Sequence, residues 1–156
     1  MQIRAATPAD ADAVIAIAHA TATHTAGRWS REQYARLFRP TAEDLPREVL
    51  VVEHEGAIAG FLVGLAVGSE WELENIVVQP ELRGRGLGEE LVTAFLERAK
   101  EQGAERVDLE VRESNAAGRS LYERCGFSES GRRRGYYQDP PEDAILYTLG
   151  FAEAQG

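Results

Sequence analysis

The sequence predicts a mixed α/β fold, on three observations. Apolar strand signals and amphipathic helix signals interleave through the middle of the chain. A glycine-rich turn, Arg83-Gly84-Arg85-Gly86-Leu87-Gly88, joins the apolar run Ile76-Val77-Val78 to a long amphipathic helix. Arg106 to Arg112 alternates cleanly, with Val107, Leu109 and Val111 on one face and Asp108, Glu110 and Arg112 on the other.

In chain order, Ile3 to Ala6 reads as a short strand. Thr7-Pro8-Ala9-Asp10 then supplies an N-cap, a proline at the first helical position and an acidic residue to close a capping box, opening a helix to about Ala18. Ser30-Arg31-Glu32-Gln33 repeats that logic for a short second helix with Tyr34, Leu37 and Phe38 on one face. Val49 to Glu53 and Ile58 to Leu65 flank Glu55-Gly56, a hairpin-sized gap. Trp71 to Val78 is the next strand. Its apolar parity breaks at Asn75, which predicts a β-bulge. The central helix runs from about Gly86 to Gln102, with Leu87, Leu91, Phe95 and Ala99 as its core stripe and Gly103 as its stop. Asn115 caps a last helix ending at Gly126. Phe127 to Glu129 and Ala144 to Leu149 complete the sheet, separated by a loop rich in arginine and tyrosine. About six to seven strands and about four helices result, in one domain over 1–150 with a frayed tail at 151–156.

The glycine turn reads as an anion site. Glycine lets backbone approach a ligand, and the first N–H groups of the following helix point at any negative group there. A pyrophosphate is the natural guest. No Gly-Lys-Ser/Thr follows, so this is not a P-loop, and no acidic residue closes a downstream strand at the spacing of a dinucleotide fold. The alternative is a plain glycine-rich connection with exposed arginines.

Leu109 to Phe127, with Glu110, Asn115 and Tyr122 inside it, resembles the second signature of the GNAT acetyltransferases, and Arg83, Gly86 and Gly88 match their first. Within that superfamily, Asn75-Ile76-Val77-Val78, Leu109-Glu110-Val111-Arg112 and Arg133-Arg134-Gly135-Tyr136-Tyr137 resemble the ribosomal-protein-alanine N-acetyltransferases, closely over roughly 70 to 149. The resemblance implies the GNAT fold, with splayed central strands, and acetyl-CoA as co-substrate. It implies cofactor contacts from Ile76, Val77, Val78, Arg83, Gly84, Arg85, Gly86, Leu87, Gly88, Glu89, Asn115 and Tyr122. Glu110 corresponds to the general base, Tyr122 to the general acid, and the Val78 N–H to the oxyanion donor. Tyr136, Tyr137, Glu74 and Trp29 border the implied acceptor groove, whose first wall, Thr21 to Arg39, departs from the family.

Acetyl transfer from a thioester to an amine needs a neutral amine, a stabilised oxyanion and a proton for the departing thiolate. By pattern alone Glu110 is the wet face of a half-buried strand and Tyr122 is ordinary core. Glu72 and Glu74 compete as bases, and Glu74 stands where the ribosomal branch usually has an apolar residue. Arg132-Arg133-Arg134 is either a solvated charge run or part of the acceptor rim. The expected reaction is acetylation of a protein N-terminal alanine; the alternatives are a small-molecule amine acceptor or a CoA-binding module without transfer activity.

A net charge of −9 argues against nonspecific nucleic-acid binding and favours a cationic acceptor. No apolar run approaches the ~20 residues of a membrane span, so a cytoplasmic protein is expected, as monomer or weak homodimer. The single Cys125 excludes an internal disulfide and reads as a small core residue. His19, His24 and His54 lack metal-ligand spacing, and no metal is expected.

Overall fold

A computed structural model of the chain describes residues 2–20, 29–138 and 140–151. Expectations for His24, residues 21–28 of the first groove wall and the tail at 152–156 lie outside the described residues. Strand β1 (Gln2–Ala5) leads through a 3₁₀ turn at Pro8–Asp10 into α1 (Ala11–Ala20). The predicted capping box forms at Thr7, and Arg4 grips Asp10 through 2.7 and 2.9 Å bonds that hold its carboxyl down at about 2. A second capping box at Ser30 opens α2 (Arg31–Leu37).

β2 (Arg47–His54) and β3 (Ala57–Leu65) form the hairpin, with both turn residues left-handed, Glu55 at φ 53° and Gly56 at φ 81°. β4 (Glu70–Val78), α3 (Leu87–Glu101), β5 (Arg106–Arg112), α4 (Ala116–Arg124), β6 (Ser128–Tyr137) and β7 (Glu142–Gly150) follow. The seven strands make one sheet in the order β1-β2-β3-β4-β5-β7-β6, antiparallel except where β4 meets β5.

Helices cover both faces, which explains the continuous apolar runs of the inner strands. Leu50 and Val52 pack under α3 with Leu91 and Phe95, whereas Val51, Phe61 and Val63 pack under α1 and α2 with Val14, Ile17 and Tyr34. Gly64 lets α3 close on the sheet, because a Cβ there would lie 2.2 Å from the Phe95 ring. No described helix is long and apolar enough to cross a membrane.

Two expectations are corrected. The arginine and tyrosine segment is not a long loop: β6 runs through Tyr137 and β7 begins at Glu142, leaving a short turn. Arginines 132 to 134 are therefore strand residues, and two of them are ion-paired rather than simply solvated. Arg112 is not on a wet face; it is 2% exposed. The carbonyls of Gln138 and Pro140, the Glu142 carboxylate and the Tyr137 ring face, 4.3 Å from the guanidinium, receive its charge and tie down the β6–β7 turn.

Candidate active site

The site begins where two strands part. β4 and β5 pair only over Glu70–Glu72 against Arg106–Asp108, although both continue, to Val78 and to Arg112. The cause is written in the apolar parity of β4. Val63 pairs with Asn75 and Gly64 with Leu73, so Glu74 is the extra residue of a bulge. Before it, Trp71 and Leu73 face α3; after it, Val77 faces α1 and α2 while Ile76 and Val78 turn to the α3 side. Asn75, 6% exposed, is held by a 2.5 Å bond to the Tyr34 hydroxyl, which links α2 to the bulge.

The bulge also sets which backbone groups meet the wedge. Gln79 N–H donates to the Ala59 carbonyl at 2.9 Å, and antiparallel ladders alternate, so Ile76 and Val78 turn their backbone groups to the edge that β5 has left. The Val78 carbonyl there accepts Arg83 Nε at 3.3 Å. Val77, by the same alternation, spends its backbone groups on β3. At the mouth of the wedge, the N–H groups of residues 84–89 have no acceptor among the described residues. Gly84 and Gly86 sit at φ 80° and 81° with nothing within 4 Å of where a Cβ would be. A run of free donors opening the 15-residue α3, with no side-chain wall, suits a diphosphate. The side chain of Leu87 is core at 3% exposure, so only its backbone is available. Asn115 caps α4, accepting the Gly118 N–H at 2.9 Å.

Glu110 lies on the α1–α2 face of β5, and Tyr122 packs on the α3–α4 face against Phe127 and Tyr147. The two thus lie on opposite faces of the sheet. Tyr137 is within electrostatic range of both: burial and then the Glu110 charge push its phenol up to about 12, and it in turn raises Tyr122. Burial is the main cause of the rise at Tyr122, which lies well above the ordinary phenol. Its ring lies with its centroid 6.0 Å from that of Phe127 and 6.3 Å from that of Tyr147.

The rival carboxylates stand differently. Glu74 is clamped by Arg47 through 2.8 and 3.2 Å bonds. Glu72 is raised by desolvation and then by Glu74, Glu110 and Asp108. Trp29 packs against Tyr34 in a tilted arrangement at 5.4 Å and lies under the Arg47 guanidinium at 5.7 Å, lining a cleft of about 150 Å³ with Leu37 and Leu45. Tyr136 is half exposed, in edge contact with Tyr137 at 5.1 Å. Glu110 itself is ion-paired with Arg133, Oε1 to Nε 3.0 Å. Sequence reading did not name Arg47, and it did not foresee that Tyr34 reaches Asn75 or Arg133 reaches Glu110, because each meets its partner from a distant strand or helix and no local spacing marks it.

The sequence profile of the Acetyltransferase (GNAT) family matches residues 14–127. The chain is 41% identical over 96 residues to the ribosomal protein bS18-alanine N-acetyltransferase of Escherichia coli K12, covering 60% of this chain and 65% of that protein. It is 35% identical over 118 residues, 76% of each chain, to a Bacillus subtilis (strain 168) protein provisionally assigned the same activity. The crystal structure of the Escherichia coli ribosomal-protein-S18-alanine N-acetyltransferase superposes with a TM-score of 0.79 at 31% identity, over 99% of this chain and 98% of that one. The ribosomal-protein-alanine N-acetyltransferase of Brucella melitensis shares the fold, with a TM-score of 0.83 at 24% identity over 97% and 100%.

Proposed function

This chain belongs to the GNAT acetyltransferases, enzymes that use acetyl-CoA, and within that family we propose that it acetylates the N-terminal alanine of a ribosomal protein. The observation that carries the reading is the wedge between β4 and β5. It leaves the end of β4 unpaired beside the stretch of β5 that carries Glu110, in a chain similar to bS18-alanine N-acetyltransferases.

In this reading the residue 84–89 N–H groups hold the pyrophosphate, with Arg83 and Arg85 beside it, and the Ile76 and Val78 backbone and Asn115 flank the rest of acetyl-CoA. Glu110 takes the proton of the acceptor α-ammonium through water, which frees the nitrogen lone pair to attack the thioester carbonyl carbon. The Val78 N–H holds the oxygen that gains negative charge. As the C–S bond breaks, Tyr122 gives its proton to the thiolate, and the nitrogen, cationic since the attack, releases its second proton to water, which restores the phenol. A phenol raised by burial is a reluctant donor, so the step relies on its fixed position beside a sulfur that grows basic as the bond lengthens. Tyr136, Tyr137, Glu74 and Trp29 shape the acceptor groove, and the whole reaction is carried by one domain over 1–150. An α-amine suits this chemistry: near neutral pH roughly a tenth of it is unprotonated, from a pKa of ~8, against almost none of a lysine amine near ~10.4.

An acetyl-CoA consumption assay over N-terminal peptides and free amines tests the proposal. Alanine-starting basic peptides are expected to turn over fastest, with a rate that falls with salt more than that of a neutral peptide, because screening weakens attraction to the acidic protein. Turnover confined to small free amines would reject the ribosomal-protein acceptor.

A further inference from the structure

A general base needs an oxygen open to the proton it takes. On Glu110 that approach is shared by two groups from β6: the Arg133 guanidinium, ion-paired with Nε 3.0 Å from Oε1, and the Tyr136 phenol, which the Glu110 charge raises. A bulge in β6 puts them there. Four steps along β6, Arg133 to Tyr137, match two along β7, Ala144 to Glu142, so the strand bows and turns Tyr136 back beside Arg133. Asp143 pins the bow, accepting the Gly135 N–H and Arg132 Nη1, each at 2.8 Å, while Gly135 adopts φ 60°. The Arg133 guanidinium lies 5.5 Å from the Tyr136 ring centre.

The surroundings make this contact exchangeable. Glu72, Glu74 and Asp108 crowd the same face, and the other cations there are held: Arg47 by Glu74, and Arg112 by Glu142 and the turn carbonyls. Arg133 is 56% exposed at its side chain and has solvent to return to, so its ion pair is weak. An amine acceptor arrives mostly as ammonium near neutral pH, a cation of the charge needed to take the guanidinium's place.

We propose that Arg133 is a positioning residue for acetyl transfer: it holds the Glu110 carboxylate toward the wedge and yields it, charge for charge, to the ammonium form of the acceptor. The carboxylate is thereby aimed before the acceptor arrives, and a neutral compound of similar shape has nothing with which to displace the guanidinium. The role rests on Glu110 acting as base.

Steady-state kinetics with a basic hexapeptide beginning in alanine test it. Arg133→Met removes both the hold and the competitor. The acceptor KM is expected to fall about two- to five-fold, the range an exposed ion pair commands. kcat falls as well, the acetyl-CoA KM stays put, and Arg133→Lys returns both acceptor parameters toward the wild type. Arg133→Gln, polar but uncharged, moves them in the same direction as Arg133→Met. A merely structural contact would lower kcat without lowering KM, and an acceptor KM that is unchanged or raised in both neutral variants overturns the proposal. Glu110→Gln in the same assay separates the two failures. If it retains the wild-type rate, the base assignment itself is wrong; if it is slow while the neutral Arg133 variants keep the wild-type KM, only the role of Arg133 is lost.

Discussion

Replacing Tyr122 with phenylalanine is expected to lower kcat by about 10²- to 10⁴-fold, the usual range for a positioned proton donor, with acetyl-CoA affinity unchanged. The substitution removes one oxygen and leaves the ring, so the contacts to Phe127 at 6.0 Å and Tyr147 at 6.3 Å persist and the core that α4 buries is kept. Because burial pushes the phenol upward, the wild-type residue stays protonated through the ordinary working range, and the deficit in the variant should be the same at pH 6 and pH 9. Rate measurements across that range, with calorimetry of acetyl-CoA binding, check it. A variant within a few-fold of wild type would remove Tyr122 from the reaction.

Glu110→Gln should produce a loss of similar size with a different signature. The amide cannot accept a proton, so the variant depends on the fraction of acceptor that is already neutral. That fraction rises toward a pKa of ~8, and the deficit should shrink as pH is raised from 6 to 9. Glu74→Gln is expected to be milder, because Arg47 already occupies both oxygens of Glu74. If Glu74→Gln were the more damaging change, the base would belong to β4.

Most of the fold was legible because it rests on local rules. The capping boxes at Thr7 and Ser30, the turn at Glu55-Gly56 and the stripe Leu87, Leu91, Phe95, Ala99 are each set within a few residues. The broken parity of β4 was also local, and it pointed to the bulge that opens the wedge, one residue from its place at Glu74. What escaped depends on partners far along the chain. Alternation put Arg112 in water, but carbonyls 26 and 28 residues on make its burial favourable. Glycine and three arginines read as loop, yet β7 supplies a ladder that overrides weak strand propensity, at the cost of bulges on both sides of Arg132. The same distance hid Arg133 beside Glu110 and Arg47 on Glu74. The roles given to Glu110 and Tyr122 came from the second signature motif, because alternation alone makes Glu110 a solvent-facing residue, whereas the glycine turn was legible as an anion site from its own residues.

The most direct test of the account is the position of the acetyl group on a basic peptide that offers both a free N-terminal alanine and an internal lysine, located by tandem mass spectrometry at early turnover. The account predicts acetylation of the alanine nitrogen, with the lysine left unmodified and no product once the N-terminus is blocked and the lysine alone remains. Acetyl on the lysine, or equal rates for the free and blocked peptides, would contradict it.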